Sequence, residues 1–147
     1  MVNIAILTSK ISLSEAIIQH FINTNVNISC IISNNSDSKI YNKFRRYKLK
    51  THITNKYKEI DKILTETNTH FVILADYNEE TPKNFTNKYK WKLINLKQEN
   101  NEIIIYYVKT ETTNEDIIFK IKNNDQNKIY PIVIEKIINE TYSKIFN

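Results

Sequence analysis

Apolar runs of strand length alternate with segments of helical spacing over the first two thirds of the chain. This alternation restricts the fold more than any other feature. Val2 to Thr8 (VNIAILT) reads as a buried strand. Ser12-x-x-Glu15 has the form of a capping box, so a helix is expected from near Leu13 to about Ile22. Val26 to Ile32 is a second strand, and the turn-rich Ser33-Asn-Asn-Ser-Asp-Ser38 leads into a helix reaching about Lys48, with Ile40, Phe44 and Tyr47 on one face. Thr51 to Thr54 is a short strand, followed by a helix over Lys56 to Glu66 that turns Tyr57, Ile60, Ile63 and Leu64 to the core. Phe71 to Ala75 (FVILA) is a central strand, and the loop Asp76 to Thr81 leads to Pro82 in the first turn of another helix. Trp91 to Leu96, Ile103 to Val108 and Asp116 to Ile121 are further strands. Ile129 to Phe146 is a closing helix carrying Ile132, Ile134, Ile137, Ile138 and Ile145.

Strand–helix alternation argues for a parallel sheet with right-handed crossovers. The residues between Leu96 and Ile103 (KQENNE) are too few for a helical crossover, so these two strands should form an antiparallel hairpin. The expectation is a single domain over residues 1–147. It is a Rossmann-like α/β three-layer sandwich around a mixed sheet, mainly parallel, with an antiparallel hairpin near its C-terminal part. Ligands of such sheets bind beyond the carboxyl ends of the parallel strands. Three segments should therefore converge: Thr8 to Ser14, Ala75 to Glu80, and Asn95 to Gln98.

The first of these, Thr8-Ser9-Lys10-Ile11-Ser12, stands where phosphate-binding turns carry glycine, which lets backbone bend sharply and approach a ligand. The chain has no glycine, against roughly 10 expected from average usage. Alanine, proline and arginine are also scarce, whereas Asn, Lys, Ile and Tyr abound. That is the signature of AT-rich codons. Hydrophobic content of 41% and charged content of 25% are ordinary globular values and exclude wholesale disorder. No apolar run approaches the ~20 residues of a membrane helix, and the N-terminus lacks a signal-peptide pattern. Cys30, alone in ISCII, cannot form an internal disulfide and reads as a buried, inert thiol, which fits a cytoplasmic setting. The net charge of +5 comes from scattered lysines, densest over Lys39 to Lys50. This stretch reads as a solvated helix face before a polyanion-binding patch, and nucleic acid is not an expected partner. His20, His52 and His70 have no neighbours at metal-ligand spacing, so no metal is expected and all three are read as structural.

Several segments, taken in order, carry a resemblance. They are LTSKISLSEAII, IISNNSDSKIYNKFRRYKLKTHI, FVILADYNEETP, KLINLKQ, IIYYVKTETTNEDIIFKI and NKIYPIVIEKII. Together they resemble, nearly along the whole chain, the glycinamide ribonucleotide formyltransferases of purine biosynthesis. The resemblance implies a formyltransferase-like fold and formyl transfer from 10-formyltetrahydrofolate to the amine of glycinamide ribonucleotide. It places the substrate phosphate loop at Ser9, Lys10, Ile11 and Ser12 and the ribose-gripping acid near Gln126. The folate loop falls at Ala75, Asp76, Tyr77 and Asn78. The family's catalytic Asn falls on Asn95, its His on Lys97 and its Asp on Thr113, with Glu111 and Glu115 nearby but displaced in register. The family's segment after the His is replaced by KQENNE, and the link between Ile121 and Ile129 is shortened.

Formyl transfer needs a stabilised oxyanion and a group that moves protons near neutral pH. Lys97 offers charge, but as a proton shuttle it would need burial to lower its pKa by about 3 units. Losing one oxyanion donor costs roughly 100- to 1,000-fold in rate. Ile11 sets a β-branched side chain where the family lets backbone approach the phosphate, and Asp76-Tyr-Asn-Glu-Glu80 is acidic like folate's own tail. The expectation is a maintained core around a site that is inactive or very weak. The alternative is a non-catalytic binding or scaffold protein that uses its basic face for nucleic acid or another polyanion.

Overall fold

The computed structural model describes residues 1–100, 102–108, 115–122 and 129–146, with 107–108 and 115–122 as backbone path only. Thr113 and Gln126 lie outside the described residues, as does Glu111. Strands β1 (Val2–Thr8), β2 (Val26–Ser33), β3 (Thr51–Ile53), β4 (Phe71–Ala75) and β5 (Leu93–Glu99) alternate with helices α1 (Ser12–Phe21), α2 (Ser38–Arg45), α3 (Tyr57–Glu66) and α4 (Lys83–Lys88). Strands β6 (Glu102–Val108) and β7 (Glu115–Lys122) then precede the long α5 (Ile129–Phe146).

The sheet has the order β3-β2-β1-β4-β5-β6-β7. The first five strands pair in parallel, β5 pairs antiparallel with β6, and β6 antiparallel with β7. The mixed sheet and the hairpin read from the sequence are both present. KQENNE is shared out between the two strands: β5 runs to Glu99, β6 starts at Glu102, and Asn100 turns the chain at φ 48°. The strand order reverses between β1 and β4, so their carboxyl ends form the switch point at which open α/β sheets leave a crevice.

Side chains alternate across the strands and feed two apolar layers. Ile4, Ile6, Phe71, Ile73, Ile94 and Leu96 pack beneath α1, α2 and α5, while Ala5, Leu7, Val72, Leu74 and Leu93 meet Ile60 and Leu64 of α3 and Phe85 of α4. Cys30 is free and buried in the second layer, where burial pushes its thiol pKa up.

The details depart from the sequence reading in three places. The capping box does not form. Ile11 already has helical backbone (φ −78°, ψ −35°), which puts Ser12 inside the helix and leaves its start without a side-chain cap. The Glu15 carboxylate turns sideways to the Tyr47 hydroxyl (3.2 Å) and Lys43 Nζ (3.4 Å). β5 begins at Leu93, not Trp91, because Trp91 sits at φ 66°, which no strand residue adopts. On α5, Tyr130, Ile134 and Ile138 form the buried stripe, whereas Ile132 and Ile145 are 56% and 41% exposed. Isoleucines on every side of that helix hide the stripe from periodicity alone.

Candidate functional site

The site is built where β1, β4 and β5 end. Register places Thr8 beside Ala75 and Ala75 beside Leu96, so the three segments expected to converge do so. Thr8 is fully buried, and its hydroxyl donates to Ala75 O at 2.7 Å and also contacts Lys10 O. The Lys10 N–H turns back onto the same hydroxyl at 3.3 Å. These bonds curl the chain tightly after β1 without glycine.

Ser9, only 4% exposed, is the knot that closes this end. Its N–H donates to Asp76 O at 3.3 Å, and its hydroxyl accepts the Asn78 N–H at 3.0 Å. Ser9 Oγ also lies 2.7 Å from Asn34 Oδ1 and 2.9 Å from Asn78 Oδ1, and its one proton serves one of these carbonyls at a time. Asn34 Nδ2 donates to Asn78 Oδ1 at 2.7 Å, and Asn35 Nδ2 to Ser9 O at 3.2 Å. The ends of β1, β2 and β4 are thereby stitched by side chains. Asn34 and Asn35 were legible in the sequence only as turn residues within SNN; their role needed the neighbouring strand. Beyond the knot, Lys10 and Ser12 are exposed, Ile11 packs partly against the core, and the start of α1 carries no side-chain cap. A helix start of this kind presents positive potential.

Asp76 takes φ 51°, the left-handed region that glycine enters most freely, and its N–H donates to Leu96 O at 3.2 Å. Tyr77 turns its ring into the second apolar layer and is 7% exposed, beside Phe85 and Tyr89. Burial raises the pKa of its phenol, and the nearby Glu79 carboxylate adds to the rise. The neighbouring Tyr57 hydroxyl donates to Glu80 O at 3.3 Å.

Asn95 is 5% exposed in the part of β5 that pairs with β4, and Lys97 is exposed two residues on, just past that pairing. The period of two puts Leu93, Asn95 and Lys97 on one face of the sheet. Asn95 pairs across the hairpin with Tyr106, and Lys97 Nζ sits 5.6 Å from the Tyr106 ring centroid, a cation–π arrangement. The burial that a proton-shuttling lysine would require is absent. Glu115 opens β7, opposite Val108. Among the described residues, no group of three or more His, Cys, Asp or Glu side chains is arranged to hold a metal ion, and no helix is long and apolar enough to cross a membrane. His20 meets Glu135 at 2.9 Å, and in the basic stretch Arg45 lies over the Tyr41 ring at 5.6 Å.

Solved structures share this architecture. Phosphoribosylglycinamide formyltransferase from Anaplasma phagocytophilum matches with a TM-score of 0.70 at 21% identity, over 97% of this chain and 84% of that one. Glycinamide ribonucleotide transformylase 1 from Geobacillus kaustophilus matches at 0.69 and 13% identity, over 97% and 94%. A formyltetrahydrofolate deformylase from Burkholderia mallei matches at 0.70 and 10% identity, over 93% of this chain and 64% of its own. The chain therefore has the formyltransferase fold. No family model matches the sequence, and no curated protein does.

Proposed function

We propose that this chain is a relative of the glycinamide ribonucleotide formyltransferases that keeps their scaffold and supports formyl transfer very weakly or not at all. The observation that carries this reading is the contrast between two residues of β5. Asn95, to which the resemblance gives the oxyanion donor, is buried, whereas Lys97, to which it gives the proton-moving His, is exposed. Asn95 could stabilise charge on a formyl oxygen. An exposed ammonium over Tyr106 supplies positive charge but not the buried, poised acid–base group that moves a proton from amine to leaving nitrogen.

The residues at the folate loop do not fit 10-formyltetrahydrofolate well. Tyr77 is withdrawn into the core, Asn78 is engaged with Ser9 and Asn34, and Asp76, Glu79 and Glu80 oppose an acidic tail. No step is therefore assigned through that cosubstrate. The phosphate side retains more: the uncapped start of α1 and the exposed Lys10 still favour an anion such as the substrate phosphate. With Cys30 buried and free, a cytoplasmic setting fits this reading. The scaffold alternative gains little, since Lys43 and Arg45 of the basic stretch are already engaged with Glu15 and Tyr41.

The test is turnover of the purified protein with glycinamide ribonucleotide and 10-formyltetrahydrofolate, followed by absorbance. A second arm without the amine acceptor reads hydrolysis of the cofactor. The expected result is at most a trace above background in both arms from a well-folded protein. A robust rate in either arm that Asn95→Ala abolishes would overturn the proposal.

A further inference from the structure

At the opposite end of the sheet from this site, the segment entering β4 is tied to the start of β1 through an imidazole. The His70 backbone N–H donates to Asn3 O at 2.8 Å, and the Asn3 backbone N–H donates to His70 Nδ1 at 2.9 Å. A backbone amide can only donate, so this nitrogen carries no proton and the neutral ring holds its proton on Nε2. Asn3 is itself a junction: its side chain donates to Asn68 O at 2.9 Å and accepts from Asn27 Nδ2 at 3.0 Å.

The same ring anchors the last turn of α5. Tyr142 and Phe146 approach His70 edge to face, with centroids 5.4 and 5.1 Å away, and they stack on each other at 4.9 Å. Phe146 also meets Phe71 at 6.2 Å and carries Lys92 Nζ 5.0 Å from its centroid. The charged groups that bear on His70 are the Met1 amino group, from the β1 side, and Lys92, ahead of β5; α5 contributes the Tyr142 phenol and the Phe146 ring. No ion pair between His70 and a carboxylate occurs among the described residues.

From this geometry we infer that His70 is a proton-operated latch that holds the last turn of α5 onto the sheet when neutral and releases it when protonated. Protonation places an N–H on Nδ1 facing the Asn3 N–H, so a hydrogen bond becomes a contact between two donors. It also adds a cation beside Lys92 and the Met1 amino group. An imidazolium could gain attraction from an aromatic face, but Lys92 already occupies the Phe146 ring, leaving Tyr142 as the one aromatic partner to set against the lost Asn3 bond and the two nearby cations. Burial and the two nearby positive charges lower the His70 pKa, which keeps the latch closed near neutral pH and sets its opening below the ordinary imidazole range.

Hydrogen exchange of the full chain, corrected for intrinsic rates and read on the peptide covering Tyr142 to Phe146, tests the latch at pH 7.5 and at pH 5.0, well below the ordinary imidazole pKa of 6.5. Exchange there should rise roughly tenfold on acidification, while the α3 peptide stays constant. His70→Gln keeps an acceptor that does not titrate, so its exchange should be the same at both pH values. His20→Gln should still switch, because the His20–Glu135 pair is a separate contact on α5. A flat wild type, a switch that survives in His70→Gln, or one lost in His20→Gln each overturns the inference. If His70→Gln does not fold, imidazole ¹⁵N shifts of the wild type decide the matter. Titration of Nδ1 must coincide with movement of the Asn3 amide, and independent midpoints would sink the latch.

Discussion

Without glycine, individual residues must enter backbone conformations that glycine would take more easily. Lys48, Asn68, Asp76, Trp91 and Asn100 all have positive φ. Two are asparagine and one aspartate, the types that tolerate this region best, but Lys48 and Trp91 have no such advantage. Lys48 is exposed after α2 at φ 58°, so Lys48→Gly should stabilise the fold by about 0.5–1 kcal/mol. Thermal unfolding would show this as a rise of roughly 1–4 °C. Under the proposed function, Lys97→His alone should leave turnover at background, because Thr113, the position to which the resemblance gives the supporting acid, carries no carboxylate. Strong recovery from that one change in the absorbance assay would contradict the proposed function. Asp76 takes a left-handed φ of 51°, which the sequence, showing only an acidic loop residue, did not reveal.

Among the elements, α5 depends most on packing. It is 18 residues long and joins α1 through Tyr130, whose buried hydroxyl donates to Leu13 O at 2.9 Å. Tyr130→Phe keeps the ring but removes that hydrogen bond, so denaturant unfolding should report a loss of about 0.5–1.5 kcal/mol. Ile132→Ala, on the exposed side of the same helix, should stay within about 0.5 kcal/mol of wild type. Equal losses from the two substitutions would refute the assigned helix face. Element existence was legible in the sequence for β1, β2 and β4, where runs are short, flanked by turn residues and strongly apolar, and for α3, where Tyr57, Ile60, Ile63 and Leu64 recur at helical spacing among polar residues. The rotation of α5 was not, because isoleucine recurs on all its sides. The start of α1 also misled, since Ser12-x-x-Glu15 matches a cap by spacing whereas Glu15 is drawn to Lys43 on α2 and to Tyr47 just after it.

For the whole molecule, proton linkage through His70 sets a direction for stability against pH. Its folded pKa lies below the ordinary 6.5, so the unfolded chain binds a proton first as pH falls. The contribution is complete above about pH 6.5 and is lost as pH drops towards the folded value. Urea midpoints should decline over that window, and His70→Gln should flatten this part of the decline. A midpoint that rises on acidification through the same range would contradict the lowered pKa.

By itself the sequence determined the order of elements, the mixed sheet with its hairpin, and the three strand ends at which a site could lie. These follow from apolar periodicity and link length, which are local properties. Only the tertiary structure decided which face of α5 is buried, that Asn34 and Asn78 close over Ser9, that Tyr77 points into the core, and that His70 meets both Asn3 and Phe146. Each of these depends on residues far apart in the chain, and their partners are chosen by sheet order and packing, which no local pattern encodes.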